Sequence, residues 1–206
     1  MTEPAPTLEL HDVELSRGGR VLVSGLSFAV EPGRLALLTG PNGSGKTSLI
    51  RTIAGLSPAS RGDIRIGGRE VGSLEAEERG CLAYQAHLEG LKKDLTVEEN
   101  LHFYSELSGQ VNSFSEVLIE LGLEALKARS VRQLSAGQKR RVALAALKLS
   151  GARIWLLDEP LTNLDRPGRE LVAHWIDDHL AGQGSAVIAT HLVDELRRPG
   201  ALLVEL

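Results

Sequence analysis

The run Gly40-Pro41-Asn42-Gly43-Ser44-Gly45-Lys46-Thr47, followed by Ser48, has the spacing G-x-x-x-x-G-K-[ST]. That spacing suits a phosphate. Polyanion oxygens must lie against bare backbone N–H groups, and a side chain at Gly43 or Gly45 would block their approach. A helix opening at Lys46 aims its positive end at the same anion. In this pattern Lys46 reaches the β- and γ-phosphates and the Thr47 hydroxyl binds Mg²⁺. About 1% of random chains of this length would contain the pattern. Here it also falls between an apolar run, residues 34–39, and a helical pattern that places Leu49, Ile50 and Ile53 inward. Binding of a nucleotide is the expectation.

A second feature is Ile154-Trp155-Leu156-Leu157-Asp158-Glu159, an apolar strand ending in two adjacent carboxylates. In a parallel sheet the functional edge is the carboxyl end of the strands. Asp158 would emerge there to hold the Mg²⁺ shell, and Glu159 would orient or deprotonate an attacking water. A third feature is Leu134-Ser135-Ala136-Gly137-Gln138. Ser135 with Gln138 forms a capping box, and a helix N-terminus carrying a serine and a glycine suits a γ-phosphate. It lies far along the chain from the glycine loop, in a stretch of different character. One chain cannot easily bring both to the same ATP.

The elements around these residues follow from patterning. Residues 8–15 and 21–30 read as strands joined by the turn 16–20, and 63–66 with Gly67-Gly68 as a strand and tight turn. Residues 81–84, 154–157 and 185–190 read as further short strands. From about Gln85 to Ser150 strand signals vanish. Thr96 with Glu99 and Ser113 with Glu116 are capping boxes for helices over 97–107 and 114–121, and Ser135 opens a third through Leu149. A helix over 167–180 follows. Alternating β and α units with very apolar strands imply an α/β fold whose mostly parallel sheet is covered on both faces. Trp155 and Trp175 are expected in the core. Lys139, Arg140 and Arg141 are expected on a solvated helix face, as are the helix-end His87 and His102. Lys92 and Lys93 are expected either in a plain solvated polar loop or paired with acids or lipid headgroups.

The 206 residues suit one large domain or two tightly joined subdomains. A net charge of −4 and a pI near 5.9 give no basic excess for nucleic acid. Cys81 is the single cysteine, which fits a reducing compartment. No run approaches the roughly 18 apolar residues of a membrane span, and residues 1–7 lack a signal-peptide core. Any membrane work is expected of a partner.

Over essentially its full length the chain resembles the nucleotide-binding subunits of ABC transporters. Residues 134–138 are one substitution from the family's LSGGQ signature, with Ser135 and Gly137 at matching positions. Gln85 matches the Q-loop glutamine, Leu164-Asp165 the D-loop, and His191 the switch histidine. The resemblance implies a P-loop NTPase (RecA-like) core, an N-terminal antiparallel β subdomain and an inserted all-helical subdomain. A single ABC ATPase domain spans 1–206, with 1–84 and 151–206 as the core and 85–150 as the helical signature part. It also implies Gln85 at the Mg²⁺ and the γ-phosphate, and Gln138 and Asp165 beside the nucleotide. The expected assembly is a head-to-tail homodimer holding ATP between one chain's glycine loop and the other's signature. It docks on integral membrane permease subunits from the cytoplasmic side of the inner membrane. The family's aromatic residue for adenine is missing; the corresponding loop offers Arg17 and Arg20.

Residues 95–104, followed by Leu107 and Gly109, and residues 131–141 are similar to the ATP-binding subunits of cytochrome c maturation, the haem-export branch of the family. The chain itself has no haem-ligand pattern. An exporter ATPase for another cargo is the alternative. A soluble ABC ATPase acting on DNA or ribosomes would carry a coiled-coil insert or a second cassette, and neither is present. Glu159 and His191 argue against a phosphate-binding protein without hydrolysis.

Overall fold

A computed structural model describes residues 4–86, 90–107 and 114–206. The chain opens with β1 (Leu8–Arg17) and β2 (Arg20–Val30), an antiparallel hairpin turning on Gly18-Gly19. β3 (Leu35–Thr39) runs into the glycine loop and α1 (Lys46–Ile53). β4 (Arg61–Ile66) pairs with β1, and β5 (Arg69–Glu70) closes that antiparallel sheet in the order β2-β1-β4-β5. After α2 (Ala76–Arg79) and β6 (Leu82–Gln85) come α3 (Val97–Leu107), α4 (Phe114–Glu120) and α5 (Ala136–Leu149). The β/α rhythm resumes with β7 (Ile154–Asp158), α6 (Arg166–Ala181), β8 (Ser185–Ala189), α7 (Val193–Leu196) and β9 (Leu202–Glu205). The second sheet has the order β6-β7-β8-β3-β9, and every pairing in it is parallel.

Alternation along the central strands divides the interior in two. Leu35, Leu37, Trp155, Leu157, Ala186 and Ile188 join a cluster with side chains of α3, α5 and α6. Their neighbours Ala36, Leu38, Ile154, Leu156, Val187 and Ala189 join another with Leu49, Ile50 and Ile53 of α1 and the inner face of the antiparallel sheet. Both faces of the strands are therefore apolar, which is why they read as continuous hydrophobic runs. This packing fixes the carboxyl ends of β3, β6, β7 and β8 along one edge, where the chemistry-bearing residues emerge.

The helical stretch is pinned by its own polar groups. Thr96 and Glu99 form the expected capping box, and Ser135 with Gln138 forms another. Ser113, His87 and Gly109 lie outside the described residues. Buried Asn100 accepts from the Lys92 amide and donates to the Lys92 and Thr96 carbonyls. Lys92, expected in a polar loop, also covers the Phe103 ring at 4.3 Å. His102 is exposed on α3, 3.4 Å from Glu106. Trp155 and Trp175 are both in the core.

His179 on α6 stacks on Trp155 at 3.9 Å with the rings 10° apart, and its Nε2 lies 3.1 Å from the Ser185 carbonyl. Burial pushes its pKa from the ordinary 6.5 down to about 4. Above pH 6.5 both folded and unfolded chains carry it neutral and its full stabilising contribution is present. As pH falls below that, the unfolded chain takes up a proton that the folded chain refuses until about pH 4. Stability should drop by an amount on the order of 3 kcal/mol across that window. Denaturant unfolding at several pH values checks this: His179→Gln, which cannot titrate, should lose less than the wild type, and equal losses would remove His179 as the cause.

Candidate functional site

The end of β3 and the start of α1 shape the glycine loop. Gly45 precedes α1 with φ +115°, and a Cβ there would sit 3.1 Å from Val23 Cγ2 and 3.3 Å from Leu22 Cβ. Glycine is needed there by the chain's own packing as well as by any phosphate. At Gly43 (φ +84°) no atom lies within 4 Å of the would-be Cβ, so this position faces open space. Lys46, largely buried, donates from Nζ to the Gly40 carbonyl at 2.7 Å and to Pro41 at 3.0 Å. Ser44 Oγ is buried with no partner. A buried ammonium held only by loop carbonyls, an orphaned hydroxyl and free helix N–H groups together make a seat for an anion.

The second half of the site comes from β7 and β8. Asp158 ends β7 and is buried; its Oδ2 accepts from the Thr47 hydroxyl at 2.8 Å. Glu159 follows with φ +51°, a left-handed backbone rarely held by a non-glycine residue, and its amide donates to the Ala189 carbonyl of β8 at 2.9 Å. His191 emerges just beyond β8. Its Nε2 stands 3.0 Å from Asn42 Oδ1 and 3.3 Å from Glu159 Oε1.

These residues share one cleft of about 820 Å³, lined by Asn42, Gly43, Gly45, Lys46, Thr47, Ser48, Asp158, Glu159 and His191 among others. That size accommodates a nucleotide-sized ligand. Leu161, Thr162 and Asn163, which come soon after Glu159, and Arg169 of α6 also line it and carried no motif in the sequence. Arg17 and Leu22 line both this cleft and an adjoining hollow that extends to Arg51 and Pro58. None of the described residues lining either is a phenylalanine, tyrosine or tryptophan.

Gln85 ends β6 in register with Leu157, one residue before Asp158. It is buried, and both Nε2 and Oε1 lack partners among the described residues. Buried amides are normally satisfied, so this one is open to a ligand or water. The Thr47 hydroxyl and the Asp158 carboxylate are hard oxygens on the cleft wall, the kind Mg²⁺ takes when phosphate and water complete its shell.

Other expected residues stand apart from the cleft. Gly40, Pro41, Ser44 and Gln85 are not among the residues that line it, although the Gly40 and Pro41 carbonyls hold Lys46. Ser135, Gly137 and Gln138 open α5; the serine is exposed and engaged with Gln138 in the capping box. A Cβ on Gly137 would fall 2.8 Å from the Asn163 carbonyl, so close packing of α5 on the segment after Glu159 also demands glycine. Asp165 is exposed and paired with Arg141 Nη2 at 2.6 Å, which holds its carboxyl below the usual range. The expectation of a solvated face for 139–141 fails at Arg140, which is only 2% exposed. Its spacing from Leu144 and Leu147, one and two helical turns on, was the available signal.

Residues 23–162 match the model of the ABC transporter family. The chain is 42% identical over 204 residues to the cytochrome c biogenesis ATP-binding export protein CcmA of Nitrosospira multiformis, covering 98% of each. It is 44% identical over 188 residues to the protein of the same name from Xanthomonas axonopodis pv. citri, covering 90% of this chain and 87% of that one. A solved ATP-binding subunit of an ABC transporter superposes with a TM-score of 0.83 at 25% identity, over 91% of this chain and 80% of the other. Fold and cleft define an ABC-type ATPase, and the chain belongs to the ABC transporter family. Within that family its similarity runs, end to end, to the CcmA proteins.

Thr47→Val keeps the shape at the loop but removes the hydroxyl bound to Asp158. Nucleotide affinity in EDTA should stay near wild type, while the gain in affinity on adding Mg²⁺ should fall about tenfold or more. Titration with a fluorescent ATP analogue, with and without Mg²⁺, checks this; an unchanged Mg²⁺ gain would exclude Thr47 as a ligand.

Proposed function

We propose that this chain is the ATP-hydrolysing motor of an exporter serving cytochrome c biogenesis, working as a head-to-tail homodimer beneath a separate membrane permease. The observation that carries the hydrolytic reading is the convergence of Lys46, Thr47, Asp158, Glu159 and His191 on one cleft. The cellular role rests on end-to-end similarity to the CcmA proteins. No helix among the described residues is long and apolar enough to cross a membrane, so export needs a partner that does. The cytoplasmic face of the inner membrane is the site that role requires.

In this reading Lys46 and the α1 N-terminus hold the β- and γ-phosphates, with Gly40 to Gly45 shaping the loop and Ser48 beside it. Thr47, Asp158 and Gln85 would hold Mg²⁺, which would supply positive charge against the charge developing on the transferred phosphoryl group. Glu159 orients the water and accepts its proton. His191 holds the Glu159 carboxylate and Asn42 across the cleft mouth and registers the γ-phosphate. Arg17, shared by the two hollows, replaces the missing aromatic by laying its guanidinium plane on the base. Ser135, Gly137, Gln138 and Asp165 serve the partner chain's nucleotide, which accounts for their distance from this chain's own cleft. The dimer closes on ATP, bringing the core (1–84 and 151–206) of one chain against the helical part (85–150) of the other, and hydrolysis releases them.

Glu159→Gln preserves shape and nucleotide binding but removes the base. Turnover should fall by about a thousandfold, and ATP should hold the variant as a dimer in size-exclusion runs. Near-normal hydrolysis would take Glu159 out of the reaction. The cellular role has its own measurement, haem-stained cytochrome c in a strain lacking this gene. Loss of c-type cytochromes, reproduced by Glu159→Gln, is the expected result; normal levels would leave an export motor for another cargo.

A further inference from the structure

We propose that Arg140, two residues beyond the signature segment 134–138, is a positioning residue for hydrolysis: it holds the main chain of Glu159 in the conformation that presents its carboxylate to the cleft. Its guanidinium is buried and donates along the exit of β7. Nε donates to the Pro160 carbonyl at 3.2 Å, while Nη2 donates to Asp158 at 3.0 Å and to Glu159 at 2.5 Å. Nη1 donates to the Ala86 carbonyl at 3.1 Å, one residue beyond Gln85.

Consecutive carbonyls of an extended strand point to opposite sides and cannot meet one donor group. Here three in a row, 158 to 160, converge on a single guanidinium. The left-handed φ of +51° at Glu159 is what turns them together. That conformation is costly for a residue with a Cβ and persists only when its surroundings impose it. A planar fork with five donors can impose it; a lysine ammonium, with three donors on one atom, cannot span the same carbonyls. The Glu159 amide, bonded to Ala189 of β8, secures the other side of the same residue. Arg140 therefore sets where the Glu159 carboxylate stands without touching nucleotide itself. Because it grows from α5, the same fork ties the helix that begins at Ser135 to the hydrolytic strand.

This rests on Glu159 being the residue that activates water, and the experiment separates the two ideas. Turnover is measured on the full chain, with any membrane subunit that co-purifies, for Arg140→Lys, Glu159→Gln and the double variant. Arg140→Lys should melt within a few degrees of wild type and keep its KM for ATP within about threefold, while kcat falls about a hundredfold. Added guanidinium should restore part of the activity of Arg140→Ala. In single-turnover runs the lysine change should cost little further once Glu159 is already glutamine, because both act on the same step. Arg140→Gln, an amide able to reach two of the carbonyls, is the second variant if the lysine form does not fold. A normal kcat in Arg140→Lys, a loss confined to KM, or an equal loss in both backgrounds would overturn the proposal. So would failure of both variants to fold, which would assign Arg140 to stability. An active Glu159→Gln would instead sink the assignment of the base, whatever Arg140 does.

Discussion

The hydrogen bond from the Thr47 hydroxyl to the Asp158 carboxylate joins residues 111 positions apart and closes the site. It exists only because β8 sits between β7 and β3 and sets their carboxyl ends level. Each of those strands is apolar on both sides, so each must be covered on both sides. The covering layers, α1 with the antiparallel sheet on one face and α3, α5 and α6 on the other, hold the ends in line. A shift of one residue in β7 would exchange its two faces and carry Asp158 out of reach of Thr47. The register of a buried sheet is thus what gives the loop and the acid a common site.

Around that bond the molecule buries charges it could not otherwise tolerate. Lys46, Asp158 and Arg140 are all nearly inaccessible. None is left bare: the lysine has loop carbonyls, the aspartate has the threonine hydroxyl, and the arginine has main-chain carbonyls of Asp158 to Pro160 and Ala86. For Lys46 and Arg140 the carbonyls named are dipoles that satisfy donor geometry in the interior. Together with the unpartnered Gln85 and Ser44 atoms, this is a site organised in advance for a ligand that carries its own charge. The strained Glu159 belongs to the same arrangement, and it occurs where the chemistry is placed.

Much of this was legible in the residue order. The glycine loop, the Asp158-Glu159 exit, the capping boxes at Thr96 and Ser135 and the apolar runs all announce themselves locally, because backbone geometry and burial act over a few residues. Element ends came within a residue or two; the helix expected over 167–180 runs Arg166–Ala181. The short elements α2, α7 and β5 left no pattern to read, being too brief for any periodicity. Arg140 was misplaced because a charged residue between Lys139 and Arg141 looks solvated until something supplies carbonyls in the interior. That supply comes from a strand 18 to 20 residues further on and from Ala86, 54 residues earlier.

By itself, then, the sequence determined the chemistry: a phosphate loop, an acid pair at a strand end, a histidine after another strand, and a helix start suited to a second phosphate contact. These depend on residue type and short spacing, which are written in the chain. Only the tertiary structure decided which of them meet. Sheet order places the glycine loop, Asp158, Glu159 and His191 on one cleft and leaves Ser135 and Gly137 at another place on the surface. It also gives Gly45 and Gly137 a reason internal to the fold, in the approach of Leu22 and of the Asn163 carbonyl. The physical reason is that strand order and close packing are set by burying the whole apolar surface at once, and no local stretch carries that information.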